Sequence, residues 1–369
     1  MILSRTHRTA CSKLQALTET CQTANSLPMR ILILLLWIFV CMPPATSAAG
    51  QVLHASKQPP SDIDQTPLIP SMRHPSSAQA IAQLAEGSVR RECEAIGHKL
   101  GSVSVAACHA AELQATDATS VQGQPILMRE FPPLGDKSPN ARVLLVGGTH
   151  GDEYSSVSVV FKWIKTLSRY HSGLFHWHIV PLLNPDGLLQ RHSSRLNANG
   201  VDLNRNFPTP DWYAQTRDYW ERRTGHDPRR YPGEAALSEP ESRWLYEEIR
   251  SFKPDVIISV HAPYGVLDFD GPPKAPNRMG YLHLNLLGTY PGSLGNCAGV
   301  QHRIPVITME LPSAGIMPSS GEISRMWTDM IRWMIANLPK QDTQDAYASF
   351  DSIEQGLNPQ PEPDRASGG

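Results

Sequence analysis

The stretch RVLLVGGTHGDE, residues 142–153, reads as a strand, a glycine-rich bend and the start of a helix. Arg142 to Val146 is a short apolar run suited to a buried strand, and Gly147-Gly148 ends it. Glycines at 147, 148 and 151 let the backbone bend there, and helix signals then run from Glu153 to about Leu167. The same alternation continues outward. Phe175 to Leu183 predicts a second strand, closed by the turn Asn184-Pro185-Asp186-Gly187. Ser238 to Ser251 predicts a helix opened by a capping box, Ser238 with Glu241, and carrying Leu245 and Ile249 on one face. Asp255 to Val260 and Ile304 to Met309 predict strands, and Ile323 to Leu338 an amphipathic closing helix. This order predicts an α/β fold, a mixed, mostly parallel central sheet with helices on both faces.

In such sheets functional sites lie just beyond strand ends. His150 follows the first strand, with Glu153 three residues on; His261 ends the strand Asp255–Val260, and Glu310 ends Ile304–Met309. Two histidines and a carboxylate bind zinc and leave a fourth position for water, whose proton a nearby carboxylate can take. His176 and His178 alternate on one strand face and could also bind metal, although solvated strand histidines are common. The chain has neither a G-x-S-x-G nucleophile elbow nor a G-x-x-x-x-G-K phosphate loop.

Of 369 residues, 40% are hydrophobic, enough for a real core, and the formal charge of -2 argues against an electrostatic grip on nucleic acid. Residues 1–49 read as an export leader: Met29-Arg30 precede the 12-residue apolar run Ile31–Met42, and the small residues Ala45–Ala49 follow. That run is shorter than the ~17 residues a membrane span needs, so no permanent span is expected. Either the leader is extended or translation begins at Met29; lipid attachment at Cys41 is a weaker option. Residues 50–86 are Pro-, Ser- and Gln-rich and read as a linker, 87–339 as the catalytic domain, and the polar segment 340–369 as a disordered tail. Once the leader is removed, Cys93, Cys108 and Cys297 remain. Cys93 and Cys108 either pair in an oxidising compartment, or all three are buried thiols.

The segments GGTHGDE, NPDG, RLNANGVDLNRNF, LSEPE, IISVHAP and VITMELP occur in the order seen in the zinc carboxypeptidase A superfamily, which this chain resembles from about Gly87 to Leu338. The compact loops and the phrase TYPGSLGN are most like its short bacterial branch, the murein peptide amidases. The resemblance implies one zinc ion on His150, Glu153 and His261, with Glu310 as general base. It makes Arg195 the group that polarises the scissile carbonyl, Asn204 and Arg205 the pair that grips the terminal carboxylate, and Asp202 the carboxylate orienting the first zinc histidine. For Arg205 the bland alternative is a surface salt bridge.

Tyr290 falls near the family's mobile catalytic tyrosine, or is only a turn residue. Asp152 stands where digestive enzymes carry a substrate-binding arginine; it would receive a substrate amino group, or merely cap the helix. Asp268 and Asp270 are further candidates for that amino group, or belong to an exposed loop. The reaction implied is hydrolysis of murein peptides at the γ-D-glutamyl–meso-diaminopimelate bond, in the periplasm or outside the cell, with a muropeptide as substrate. The alternatives are a carboxypeptidase of ordinary L-peptides, a deacylase of the succinylglutamate desuccinylase and aspartoacylase group, and a non-catalytic murein-binding protein.

Overall fold

In the computed structural model, residues 77–136 and 138–338 are described. The expected leader, most of the linker and the tail lie outside them. Strands β1 (Gln114–Thr119), β2 (Pro125–Phe131), β3 (Ala141–Val146), β4 (Phe175–Val180), β5 (Val256–His261), β6 (Val266–Asp270) and β9 (Val306–Glu310) form one sheet in the order β1-β2-β4-β3-β5-β9-β6. β7 (Arg278–Met279) and β8 (Leu282–His283) pair separately as a small ribbon. β4, β3, β5 and β9 are parallel, whereas β1, β2 and β6 join the flanks antiparallel. The sheet is therefore mixed with a parallel centre.

Helices cover both faces. α1 (Ser77–Lys99), α2 (Val105–His109), α3 (Tyr154–Tyr170) and α7 (Ser320–Asn337) pack on the side reached by Val143, Leu145, Ile258 and Met309. α6 (Pro240–Phe252) packs on the side reached by Leu144, Val146, Ile257 and Val306. Successive residues of β3 thus enter opposite cores, which is why the run reads as continuously apolar rather than alternating. The short helices α4 (Pro185–Leu189) and α5 (Trp212–Asp218) lie in the long connections.

Four local expectations change. α1 begins at Ser77, inside the stretch assigned by composition to the linker: the segment SAQAIAQLA favours helix and lies beyond the last proline, Pro75. The second strand stops at Val180 because Pro181 has no N–H to give; Leu183 and Asn184 still donate to the carbonyls of Gly147 and Gly148. The turn at 184–187 is the start of α4, capped by Asn184 Oδ1, which accepts from Gly187 N at 2.8 Å. The Ser238–Glu241 capping box does not form. α6 starts later with Pro240 in its first turn, Asn206 Oδ1 accepts the Glu239 N–H, and Glu241 turns its carboxylate to Asn197 and Val121. The capping box lies instead at α7, between Ser319 and Glu322.

Cys93 and Cys108 form a disulfide joining α1 to α2, while Cys297 is a buried free thiol. Among the described residues no helix is long and apolar enough to cross a membrane.

Candidate metal centre

Three side chains meet beyond the C-terminal ends of β3 and β5. Gly148 turns the chain out of β3 with φ +61°, and a Cβ there would press on Leu182 and Val157 at 2.8 Å. A Cβ at Gly151 would stand 2.2 Å from the backbone carbon of Gly187, so the loops after β3 and β4 pack backbone to backbone. This close approach brings His150 inward. Glu153 takes the N-cap position of α3 without capping it through its side chain. Its Oε1 lies 2.8 Å from His150 Nδ1; its Oε2 lies 3.1 Å from His261 Nδ1 and accepts the Ala262 N–H at 3.2 Å. The two Nδ1 atoms are 3.2 Å apart, and all three residues are buried.

Donor atoms at about 2.0–2.2 Å from a tetrahedral zinc stand roughly 3.3 Å from one another. The spacing of these three donors, 2.8–3.2 Å, comes close to that figure. Two imidazole nitrogens facing each other so closely in a buried setting need a proton or a cation between them. The residues present therefore fit a metal ion.

His150 Nε2, the nitrogen facing away from that cluster, lies 3.1 Å from Asp202 Oδ1, an arrangement that fixes ring and tautomer. Asp202 is fully buried and also receives Arg195 Nε and Nη2 at 3.0 and 2.9 Å. Burial alone would raise its pKa, but Arg195 and then His150 hold the carboxyl well below the usual range. Glu153 behaves alike: burial raises, and the two imidazoles win, lowering it. With two of its nitrogens on Asp202, Arg195 points Nη1 at His150 Nδ1, 3.2 Å away.

Glu310 ends β9 beside His261, its partner in the parallel register. It is 8% exposed, and its Oε2 has no hydrogen-bond partner among the described residues. Burial pushes its pKa up, partly offset by His261. A buried carboxylate with a spare oxygen beside a cation site is suited to accept a proton.

The chain after Asp202 builds a second half. Asn204 Oδ1 accepts the Leu294 N–H at 2.9 Å, which leaves its amide nitrogen as a donor. Arg205 is 5% exposed, donates Nη1 to Asn204 O at 2.6 Å, and keeps a buried Nε without a partner among the described residues. A surface salt bridge is thus excluded for Arg205. Its guanidinium lies 4.5 Å from the ring centre of Tyr290. Tyr290 donates its hydroxyl to Leu287 O at 3.3 Å and stands edge-on to Tyr219, so its contacts are with the arginine half.

Asp152 does not cap α3; its Oδ2 accepts from Arg229 Nη2 at 2.8 Å. Asp268 and Asp270 lie on β6 rather than in an exposed loop, on the sheet face shared with Thr308 and Glu310. Asp268 is 6% exposed and accepts the Leu287 N–H at 3.0 Å; Asp270 is pushed up to about 7 by burial and by Asp268. Sequence reading missed Arg229 and Arg230, the latter 3.9 Å from Asp202. Their only signal was an unpaired basic doublet in a long connection.

The zinc carboxypeptidase family matches this chain over residues 110–269, a span that takes in His150, Glu153 and His261 and stops before Tyr290 and Glu310. The murein peptide amidase A of Escherichia coli strain K12 is 31% identical over 225 residues, which is 58% of this chain and 87% of the relative. That of Vibrio campbellii is 32% identical over 202 residues, 52% of this chain and 77% of the relative. Among solved structures, the murein-tripeptide amidase MpaA of Escherichia coli O157 aligns with TM-score 0.42 and 25% identity, covering 58% of this chain and 90% of that one.

Proposed function

The chain belongs to the zinc carboxypeptidase family, and on that premise we propose that it is an exported murein peptidase cutting the γ-D-glutamyl–meso-diaminopimelate bond. The observation that carries the reading is the convergence of His150 Nδ1, Glu153 and His261 Nδ1 within 3.2 Å, with Glu310 Oε2, which has no partner among the described residues, on the neighbouring strand end. His150, Glu153 and His261 would hold zinc, which when bound acidifies water and polarises a carbonyl. Glu310 takes the proton from the attacking water and returns it to the leaving amine. Arg195, anchored by Asp202, offers Nη1 to the carbonyl oxygen as negative charge develops on it.

Asn204 Nδ2 and the Arg205 fork bind the terminal carboxylate, and Tyr290 braces the guanidinium. Asp268 faces the same side of the sheet as Glu310 and supplies negative charge for the second amino group of diaminopimelate. The export leader and the Cys93–Cys108 bond both suit an oxidising compartment next to peptidoglycan.

Purified protein incubated with L-Ala-γ-D-Glu-meso-diaminopimelate should release free diaminopimelate, and a chelator should stop it. Glu310→Gln should keep its zinc and lose about a hundred- to ten-thousand-fold in kcat. No release by the zinc-loaded protein would sink the substrate assignment. Undiminished turnover by the variant would sink the base. Release of ordinary L-residues instead would favour a general carboxypeptidase.

A further inference from the structure

A second cluster of metal-binding side chains lies toward the opposite end of the strands. β4 sends Phe175, Trp177 and Ile179 into one core, and His176 and His178 to the other face. Glu130 of β2 stands directly across from His178 in the antiparallel register. One ligand atom from each of Glu130, His176 and His178 lies within 4.8 Å of the others. His176 Nε2 is 2.8 Å and His178 Nε2 is 3.7 Å from the same oxygen, Glu130 Oε1.

The remaining nitrogen of His178, Nδ1, is 2.5 Å from Glu248 Oε1 on α6. A carboxylate on the far nitrogen is the arrangement that orients a metal-binding imidazole and raises its basicity. Phe252 fixes both rings, stacked on His178 at 3.6 Å and edge-on to His176 at 5.0 Å. Glu130 and Glu248 bring two negative charges. The neighbouring cation Arg142, alongside His176 in β3, is paired with Asp255 at 3.7 Å.

We propose that Glu130, His176 and His178, oriented by Glu248, form a second divalent metal site, separate from the His150 centre. Two imidazoles select zinc, nickel or copper over calcium or magnesium. Glu130 is half-exposed, so water completes the coordination. Bound there, the ion staples β2 to β4 and, through Glu248, to α6. It takes no part in peptide cleavage.

The test uses the full-length chain, stripped by a chelator and titrated with zinc against a chromophoric competitor, with bound metal counted by mass spectrometry. The wild-type protein should hold two ions per chain, and His176→Gln/His178→Gln one. Circular dichroism checks that the double variant is folded. Glu130→Gln, at an exposed position that threatens no packing, should weaken the second ion by about tenfold or more. Glu248→Gln should weaken it by about 10- to 100-fold while leaving the first ion untouched. One ion in the wild-type protein, or a second ion that survives the double substitution at full affinity, overturns the proposal.

Discussion

Arg205 is gripped on several sides: Nη1 by the Asn204 carbonyl, the face of its guanidinium by Tyr290, and its backbone carbonyl by the indole N–H of Trp212. Burial disfavours its charge, which Asp202 partly restores. A buried cation whose Nε has no partner among the described residues is costly unless an anion arrives, and a carboxylate matches the fork with two parallel bonds. Arg205→Lys keeps the charge and loses the fork. We expect KM for the tripeptide to rise about tenfold, roughly 1.4 kcal/mol. The discriminating measurement compares the acid with its C-terminal amide: the wild-type protein should strongly prefer the acid and the variant much less. An unchanged preference would remove Arg205 from carboxylate recognition. At this scale the sequence was informative where chemistry restricts residue type, as at His150, Glu153 and His261. It was silent where a partner comes from far along the chain. Nothing near Asp152 announces Arg229, 77 residues away, so its local capping role looked natural.

α1 braces the site from outside. Lys99 donates to the carbonyls of Gln190 and Arg191 at 2.7 and 3.2 Å, in the connection that leads to Arg195. The same helix buries Glu92, 2% exposed, whose Oε1 has no partner among the described residues. Burial and Asp186 push it from 4.5 up to about 7. The folded state therefore holds the proton longer than the unfolded chain does. Stability from this group is greatest in acid and falls as pH rises from about 4.5 to 7, by up to about 3 kcal/mol. Neutral Glu92→Gln should remove that loss. Its Tm relative to wild type should become more positive between pH 5 and pH 8, and parallel shifts at both would refute it. α1 itself was hard to read, because its start merges with a proline-rich segment. β1, β2 and β6 were missed because flanking strands carry mixed polar patterns such as QATDAT and VLDFD. β3, β5 and β9 are buried on both faces and stood out as apolar runs.

Across the whole molecule the four parallel strands were legible, whereas the antiparallel flanks depended on contacts that no local pattern encodes; the Cys93–Cys108 pair was one of two sequence readings, and the packing of α1 on α2 decides for it. The Cys93–Cys108 bond closes a loop with a sequence separation of 15, for which loss of chain entropy on unfolding predicts about 3 kcal/mol. Cys93→Ser/Cys108→Ser should lower the Tm by about 6 °C in thermal unfolding while leaving zinc content at 25 °C unchanged. An equal Tm would make the bond incidental to stability.

The register of β5 and β9 places His261 and Glu310 on one rung of the ladder, while Asp268 and Tyr290 come from the excursion between those strands. The spacing of His261 and Glu310 is set by the backbone hydrogen bonds between β5 and β9, which the excursion does not supply. On the function proposed above, the excursion works like a tool head keyed to its shaft: a replacement can redirect selectivity only if Ala262 still donates to Glu153, Leu294 to Asn204, and β6 still pairs with β9.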